Sequence, residues 1–524
     1  MPAPLKTFLL ALLAISACVA GIAFKPFGIA LTVACLGVGV CSWLMRRPIA
    51  GFWLMLVFFP IYPLFRAWAE LNLPTVLMGI KFWPDLLVAL IWVSIVLRAT
   101  LERRRLKLYG DDWPALVWVV SVGYGSLIAF ENQHPFVLLF GWHYALPPVI
   151  GYFAIRQIRP SAREAAGLVR LLLVTYVCLA VLSIADYVFR PEFTAKLAQT
   201  ARPEVAKWAM QVDDQISSAV DFWKRYARMQ SLLFEENVFG SLSAFVSLYC
   251  LSWFTLSRRA VGRYFWLWGL STAALFLSVS RGSTVGWVVG VVVLILLWRR
   301  YSWRLTVALG SITALAAGLF LFFTDNPKVK FWVQMIENTG ALDGKFGQDR
   351  AHQWNAGLDI FVRHPSGMGL GSVGYAASRS GAASTIVADG NYIAYLAELG
   401  IPGALGLVAM LIGLFWVLGR WQRTTDDPGL KALGMALIAY LAGECVHAVS
   451  ANVFEYYYTW PVFWLLVGVY VCRCEAGTKP LPPPAPPSPG RSYLTGKERG
   501  AHLVCKAPFP AKNERPGEGV GRGN

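Results

Sequence analysis

Charge is scarce in this chain. Asp, Glu, Lys and Arg make up only 15% of its 524 residues, whereas 56% are hydrophobic and the mean hydropathy is +0.51. A soluble domain carries about 25% charged residues and about 45–50% apolar ones. Length alone suggests several soluble domains, but the missing charge favours one polytopic membrane bundle. Also missing are a phosphate-binding loop, a zinc signature and an internal repeat. The nine cysteines do not pair by spacing. Cys18, Cys35, Cys41, Cys178, Cys250 and Cys445 sit in apolar runs and read as small core hydrophobes. Cys472-Arg473-Cys474 has one intervening residue and no second pair, which argues against zinc. Acidic residues are few, 30 against 47 basic, for a net charge of +17. The basic residues cluster in short loops between apolar runs, a signal of membrane topology rather than of nucleic acid.

Runs of about 17–25 apolar residues can cross a bilayer as helices. They lie near 7–24, 26–45, 51–69, 82–99, 112–130, 136–155, 167–188, 232–256, 264–279, 284–299, 303–323, 400–418, 430–449 and 455–472. The first carries Lys6 but is followed at once by another run, so it reads as a retained helix and not a signal peptide. The loop after every even-numbered run is basic: Arg46-Arg47, Arg103-Arg104-Arg105, Arg156 with Arg159 and Arg163, Arg258-Arg259, Arg299-Arg300, and Arg420 with Arg423. The positive-inside rule then puts both termini in the cytoplasm and the long loops 189–231 and 324–399 outside it. The expected fold is an all-α polytopic transmembrane bundle of about 12–14 spans with a large helical extracytoplasmic loop. The tail 475–524, with LPPPAPPSPG, reads as disordered and cytoplasmic. Tyr456-Tyr457-Tyr458 and Trp460 read as interfacial anchors. Glu444 and His447 share a helix face, as a proton relay or as a structural hydrogen bond.

One segment, Asp349 to Gly403, gathers Arg350, His352, His364 and Asp389 at a membrane boundary. Titratable groups there point to chemistry or ion handling, because burying them in lipid is costly. Arg350, Trp354, Leu358 and Phe361 fall on one helix face with a charged start. His364-Pro365 ends that helix, and Gly367, Gly369 and Gly371 permit tight turns. Asp389 stands where it could cap a new helix. Gly400 and Gly403 form a small-xxx-small pair suited to close helix contact.

The pattern Arg350, Trp354, HPSGMGLGS, Asp389-x-Asn391-Tyr392 and Gly400-x-x-Gly403 resembles the signature domain of the O-antigen ligase and polysaccharide polymerase superfamily. Arg281 in SVSRG matches that family's outer arginine, and RMQSLLFEENVFG supplies Arg228 and Asn237. The resemblance covers about 210–410. It implies a GT-C-like architecture with N-terminal helices over 1–209, a core over 210–410 that includes the periplasmic loop 324–399, and C-terminal helices over 411–474. The ligase histidine position is occupied by Asp389, which tilts the resemblance toward a polymerase.

The resemblance implies transfer of a glycan from an undecaprenyl-diphosphate carrier to a hydroxyl of a saccharide or lipid A-core acceptor. The site would lie on the periplasmic face of a bacterial inner membrane, with no cofactor, no metal and no nucleic acid, and polysaccharide assembly proteins are possible partners. Arg281, Arg228 and Arg350 would hold the departing diphosphate. Asp389 would take the acceptor proton, with Glu235 and Glu236 in reserve, and His364, Asn237 and Asn391 would complete the substrate site. From another class, a transporter or flippase of lipid-linked oligosaccharide would carry repeated halves and midplane helix breaks.

Overall fold

The computed structural model describes residues 39–40, 42–72, 82–132, 135–189, 235–256, 261–278, 280–297, 345–374, 376–377 and 390–478. The helices are α1 (Ile49–Phe58), α2 (Tyr62–Asn72), α3 (Trp83–Leu101), α4 (Trp113–Asn132), α5 (Pro135–Ala145), α6 (Pro147–Ile158) and α7 (Ala162–Phe189). They continue with α8 (Glu236–Leu256), α9 (Val261–Leu277), α10 (Arg281–Leu297), α11 (Lys345–Arg363), α12 (Asn391–Thr424), α13 (Pro428–His447) and α14 (Thr459–Thr478). No strand occurs among the described residues. Among the described residues, six helices are long and apolar enough to cross a membrane, or up to eight if each of two bent pairs is one span. The fold is therefore an all-α polytopic bundle. The expected runs 7–24 and 303–323, and most of 26–45, lie outside the described residues.

Prolines bend two expected spans. The run 51–69 is α1 and α2, bent by 58°, and the run 136–155 is α5 and α6, bent by 47°. Pro147 and Pro148 open α6 and cannot donate back into α5. The Trp118 indole donates to the Ala145 carbonyl at that break, at 3.1 Å.

Helix α8 is the hub. Its small residues Ser241, Ser243, Ser247 and Ser252 are all buried and let neighbours approach closely. Their hydroxyls bind partners on three sides: Tyr176 donates to Ser243 at 3.0 Å, the Trp287 indole donates to Ser247 at 3.0 Å, and Ser241 donates to Glu444 at 2.7 Å.

Helices α10 and α13 meet along glycines. A Cβ on Gly286 would stand 2.8 Å from the Gly443 carbonyl oxygen, and one on Gly290 would stand 3.0 Å from that of Ala439. One turn further, Gly282 faces the His447 ring. Residues four apart on each helix thus mesh as small-residue pairs, a closeness that side chains would forbid.

Helix α12 is interrupted. Gly400, expected to serve a helix contact with Gly403, instead has φ 62° and ψ −163° and breaks the helix. Pro402 has no N–H for the Glu398 carbonyl, and Ile401 N–H turns to Pro365 O at 3.1 Å. The carbonyls so released are taken by the glycine-rich turn: Met368 N–H donates to Ala397 O at 3.0 Å and Gly369 N–H to Glu398 O at 2.9 Å. The turn is threaded further, with Leu370 N–H on Gly125 O of α4 at 3.0 Å. Gly367, Gly369 and Gly371 all take positive φ, as their spacing suggests.

Three further expectations change. Leu358 is 41% exposed. The packed stripe of α11 runs through Gly357, which is buried, and Ile360, which packs against Val373, Ala394 and Ala397. Tyr456, Tyr458 and Trp460 are buried in the protein core rather than set at its lipid boundary. Helix α14 continues beyond the last apolar run to Thr478.

Candidate functional site

Ser280 caps α10: its hydroxyl accepts from Ser283 N–H at 3.4 Å, and its carbonyl accepts from Thr284 N–H at 3.0 Å. Arg281 is therefore the first residue of the helix, at the positive end of its dipole. The start of α8 lies alongside. Asn237 Oδ1 accepts from Ser280 Oγ at 2.7 Å, and the Asn237 carbonyl accepts from Ser283 Oγ at 3.2 Å. Gly240 makes this approach possible, since a Cβ there would stand 2.9 Å from both Ser278 Oγ and Ser283 Oγ. The N-termini of α8 and α10 thus share one corner, with Arg281 as the first residue of α10, and paired helix N-termini suit an anion. Glu236 opens α8 and the preceding Glu235 is buried, so both reserve residues belong to the same helix start.

The third wall is the end of α13. His447 lies on Gly282, and its Nδ1 is 3.2 Å from Glu444 Oε2. Glu444 Oε1 accepts from Ser241, whose hydroxyl is 2.6 Å from that of Tyr440. A buried polar chain therefore runs from the Arg281 corner into the bundle. Of the two readings of Glu444 and His447, the hydrogen bond is present. A neighbouring carboxylate fixes imidazole orientation.

The start of α12 joins at the next residue. Asn391 N–H donates to Ala448 O at 2.9 Å, and Asn391 Oδ1 accepts from Phe454 N–H at 2.8 Å. Gly390, at φ +103, packs on the Val449 carbonyl, which stands within 2.5 Å of any Cβ added there. Sequence reasoning overlooked the adjoining carboxylates. Glu398 is 2% exposed and its Oε1 accepts from Gly374 N–H at 2.7 Å and Val373 N–H at 3.0 Å. Glu455, buried, also borders Gly374, at 2.9 Å from a Cβ built there. The signal was present: Glu398 is an acid inside the apolar run YIAYLAELGIPG, where an ionisable residue is a site candidate by default.

The structure thus brings Arg281, Asn237, Glu235, Glu236 and Asn391 to one end of the bundle. His364 is exposed where α11 stops, and its side chain makes no hydrogen bond or ion pair among the described residues. Arg350 lies in α11. Arg228 and Asp389 lie outside the described residues. No group of three or more His, Cys, Asp or Glu suited to a metal occurs among the described residues.

No curated protein matches the chain. Residues 266–408 match the family model described as O-Antigen ligase. The matched stretch runs from within α9, through Arg281 and the glycine-rich turn, to the part of α12 just past its break. The chain is therefore a multi-pass membrane protein whose residues 266–408 are similar to the O-antigen ligase family, and this match supports the resemblance to the O-antigen ligase and polysaccharide polymerase superfamily.

Proposed function

We propose that this protein transfers a saccharide from an undecaprenyl-diphosphate carrier to the hydroxyl of an acceptor sugar, on the periplasmic face of a bacterial inner membrane. The observation that carries the reading is the corner where the N-termini of α8 and α10 meet, with Arg281 as the first residue of α10. Charge develops on the diphosphate as the anomeric C–O bond breaks, and preorganised positive groups stabilise that charge. Arg281 pairs with the diphosphate, and Arg228 and Arg350 add to it. The acceptor oxygen forms the new bond to the anomeric carbon and gives up its proton. Asp389, one residue before Gly390 on the Val449 turn, takes that proton. Asn237, Asn391 and His364 orient the sugars, with Glu235 and Glu236 beside them. The donor is already activated, so the reaction needs no nucleotide. Asp389 in place of the ligase histidine favours polymerisation of repeat units over ligation.

Deletion of the gene, complemented with wild type, Arg281→Ala or Asp389→Ala, tests this on gels of surface polysaccharide. Loss of long chains with single repeat units retained means polymerase. Loss of all attached glycan, with full-length polymer left on the carrier, means ligase. Normal glycan from Arg281→Ala at normal protein level would sink the reading.

A further inference from the structure

A cavity of about 580 Å³ lies between α7 and the far ends of α8, α9, α13 and α14. It stands away from Arg281, since Trp253 and Leu430 line it at the ends of α8 and α13 opposite Asn237 and His447. One wall is a face of α7, with Ala162, Ala166, Val169, Leu173 and Val177 at steps of three and four residues. That face is about 22 Å long at 1.5 Å per residue. The opposite wall is aromatic: Trp253 stacks on Tyr264 at 5.2 Å, and Tyr249 meets Tyr264 edge-on at 6.2 Å.

Three charged side chains line this apolar slot: Arg170 on α7, Arg473 on α14, and Asp427 just before α13. Asp427 uses Oδ1 to cap α13, accepting from Leu430 N–H at 2.8 Å. Charged groups beside hydrocarbon are costly unless something pairs with them. A long apolar face with two guanidiniums and one carboxylate has the pattern of a zwitterionic lipid.

We propose that this groove binds one phospholipid with an ethanolamine headgroup. Its phosphate pairs with Arg170 and Arg473, its ammonium faces Asp427, and an acyl chain lies along α7 over the aromatic wall. A glycerol headgroup offers the carboxylate no cation. A choline headgroup offers a cation that cannot donate a hydrogen bond. A glycan diphosphate brings only negative charge to a slot that contains Asp427. The proposal is independent of the transfer reaction.

The full-length protein, purified in mild detergent, is titrated with phosphatidylethanolamine, phosphatidylglycerol or phosphatidylcholine of identical acyl chains. Native mass spectrometry counts bound lipid, and thermal unfolding reads the Tm shift. The wild type is expected to retain phosphatidylethanolamine several-fold better than either other lipid and to gain Tm only with it. Arg170→Gln with Arg473→Gln removes this retention. Asp427→Asn keeps the helix cap, because Asn caps as well as Asp, and abolishes the preference for ethanolamine over choline while a bound phospholipid remains. Equal retention of the three lipids, preference for the glycerol lipid, or unchanged ethanolamine selectivity in Asp427→Asn overturns the proposal. The last arm does not depend on the double arginine variant folding.

Discussion

The imidazole of His447 rests directly on Gly282, leaving no room for a Cβ between them. Gly282 follows Arg281, so the last turn of α13 fixes where the arginine emerges. Gly282→Ala forces the ring or the helix aside, and overpacking of this kind costs about 1–3 kcal/mol. The expected outcome is strong loss of polysaccharide product while membrane-inserted protein is still present, read by gel and by immunoblot. Full product from this variant would show that the spacing is irrelevant.

Glu398 holds two buried backbone N–H groups of the glycine-rich turn. Glu398→Ala strands both, and each unsatisfied buried group costs about 1–3 kcal/mol. Glu398→Gln keeps an acceptor oxygen in place. Thermal unfolding in detergent should rank wild type above Glu398→Gln and both above Glu398→Ala. A Glu398→Ala protein as stable as wild type would contradict this.

Two glycines of α12 should respond in opposite directions. Gly400 is left-handed and crowded by the Pro365 carbonyl, so Gly400→Ala adds strain of about 1–3 kcal/mol. Gly419 has open space where a Cβ would go, and alanine is about 1 kcal/mol better than glycine inside a helix. Tm should fall for Gly400→Ala and hold or rise for Gly419→Ala.

At the other end of the bundle Arg156 is fully buried, 2.7 Å from Asp112 and 2.7 Å from Glu475. Removing one partner of a buried pair costs about 3–5 kcal/mol. Arg420, 2.6 Å from the buried Asp111, is itself 42% exposed, and the Trp421 indole N–H also donates to Asp111 at 2.9 Å, so that carboxylate keeps a donor when the arginine is removed and the loss is smaller. Arg156→Ala should therefore unfold at a much lower temperature than Arg420→Ala, and similar Tm values would refute the contrast.

Much of the architecture was legible in the sequence, because long apolar runs have few alternatives to a spanning helix. Pro365 ended α11 as expected, and the glycines after it took the positive φ that only glycine accepts cheaply. What stayed hidden depended on partners distant in the chain. Arg156 reads as a loop cation until Asp112 and Glu475 close on it. Tyr458 reads as an interfacial anchor until the core surrounds it. The Gly400 break follows from backbone groups on both sides of a loop, which spacing alone does not reveal. In the candidate site, Arg281, Asn237 and Asn391 were recognised by motif, whereas Glu398 and Glu455 matched no motif and were found by burial.

The glycine seam between α10 and α13 also acts as a ruler. Gly282, Gly286 and Gly290 fit against His447, Gly443 and Ala439 in one register, and the next comparable register is a full turn away, about 5.4 Å. Sliding by less would push side chains into backbone. The depth of Arg281 relative to α13 is therefore quantised. Lipid composition or membrane thickness can tilt the pair as a unit, but it cannot tune the height of the guanidinium by small degrees.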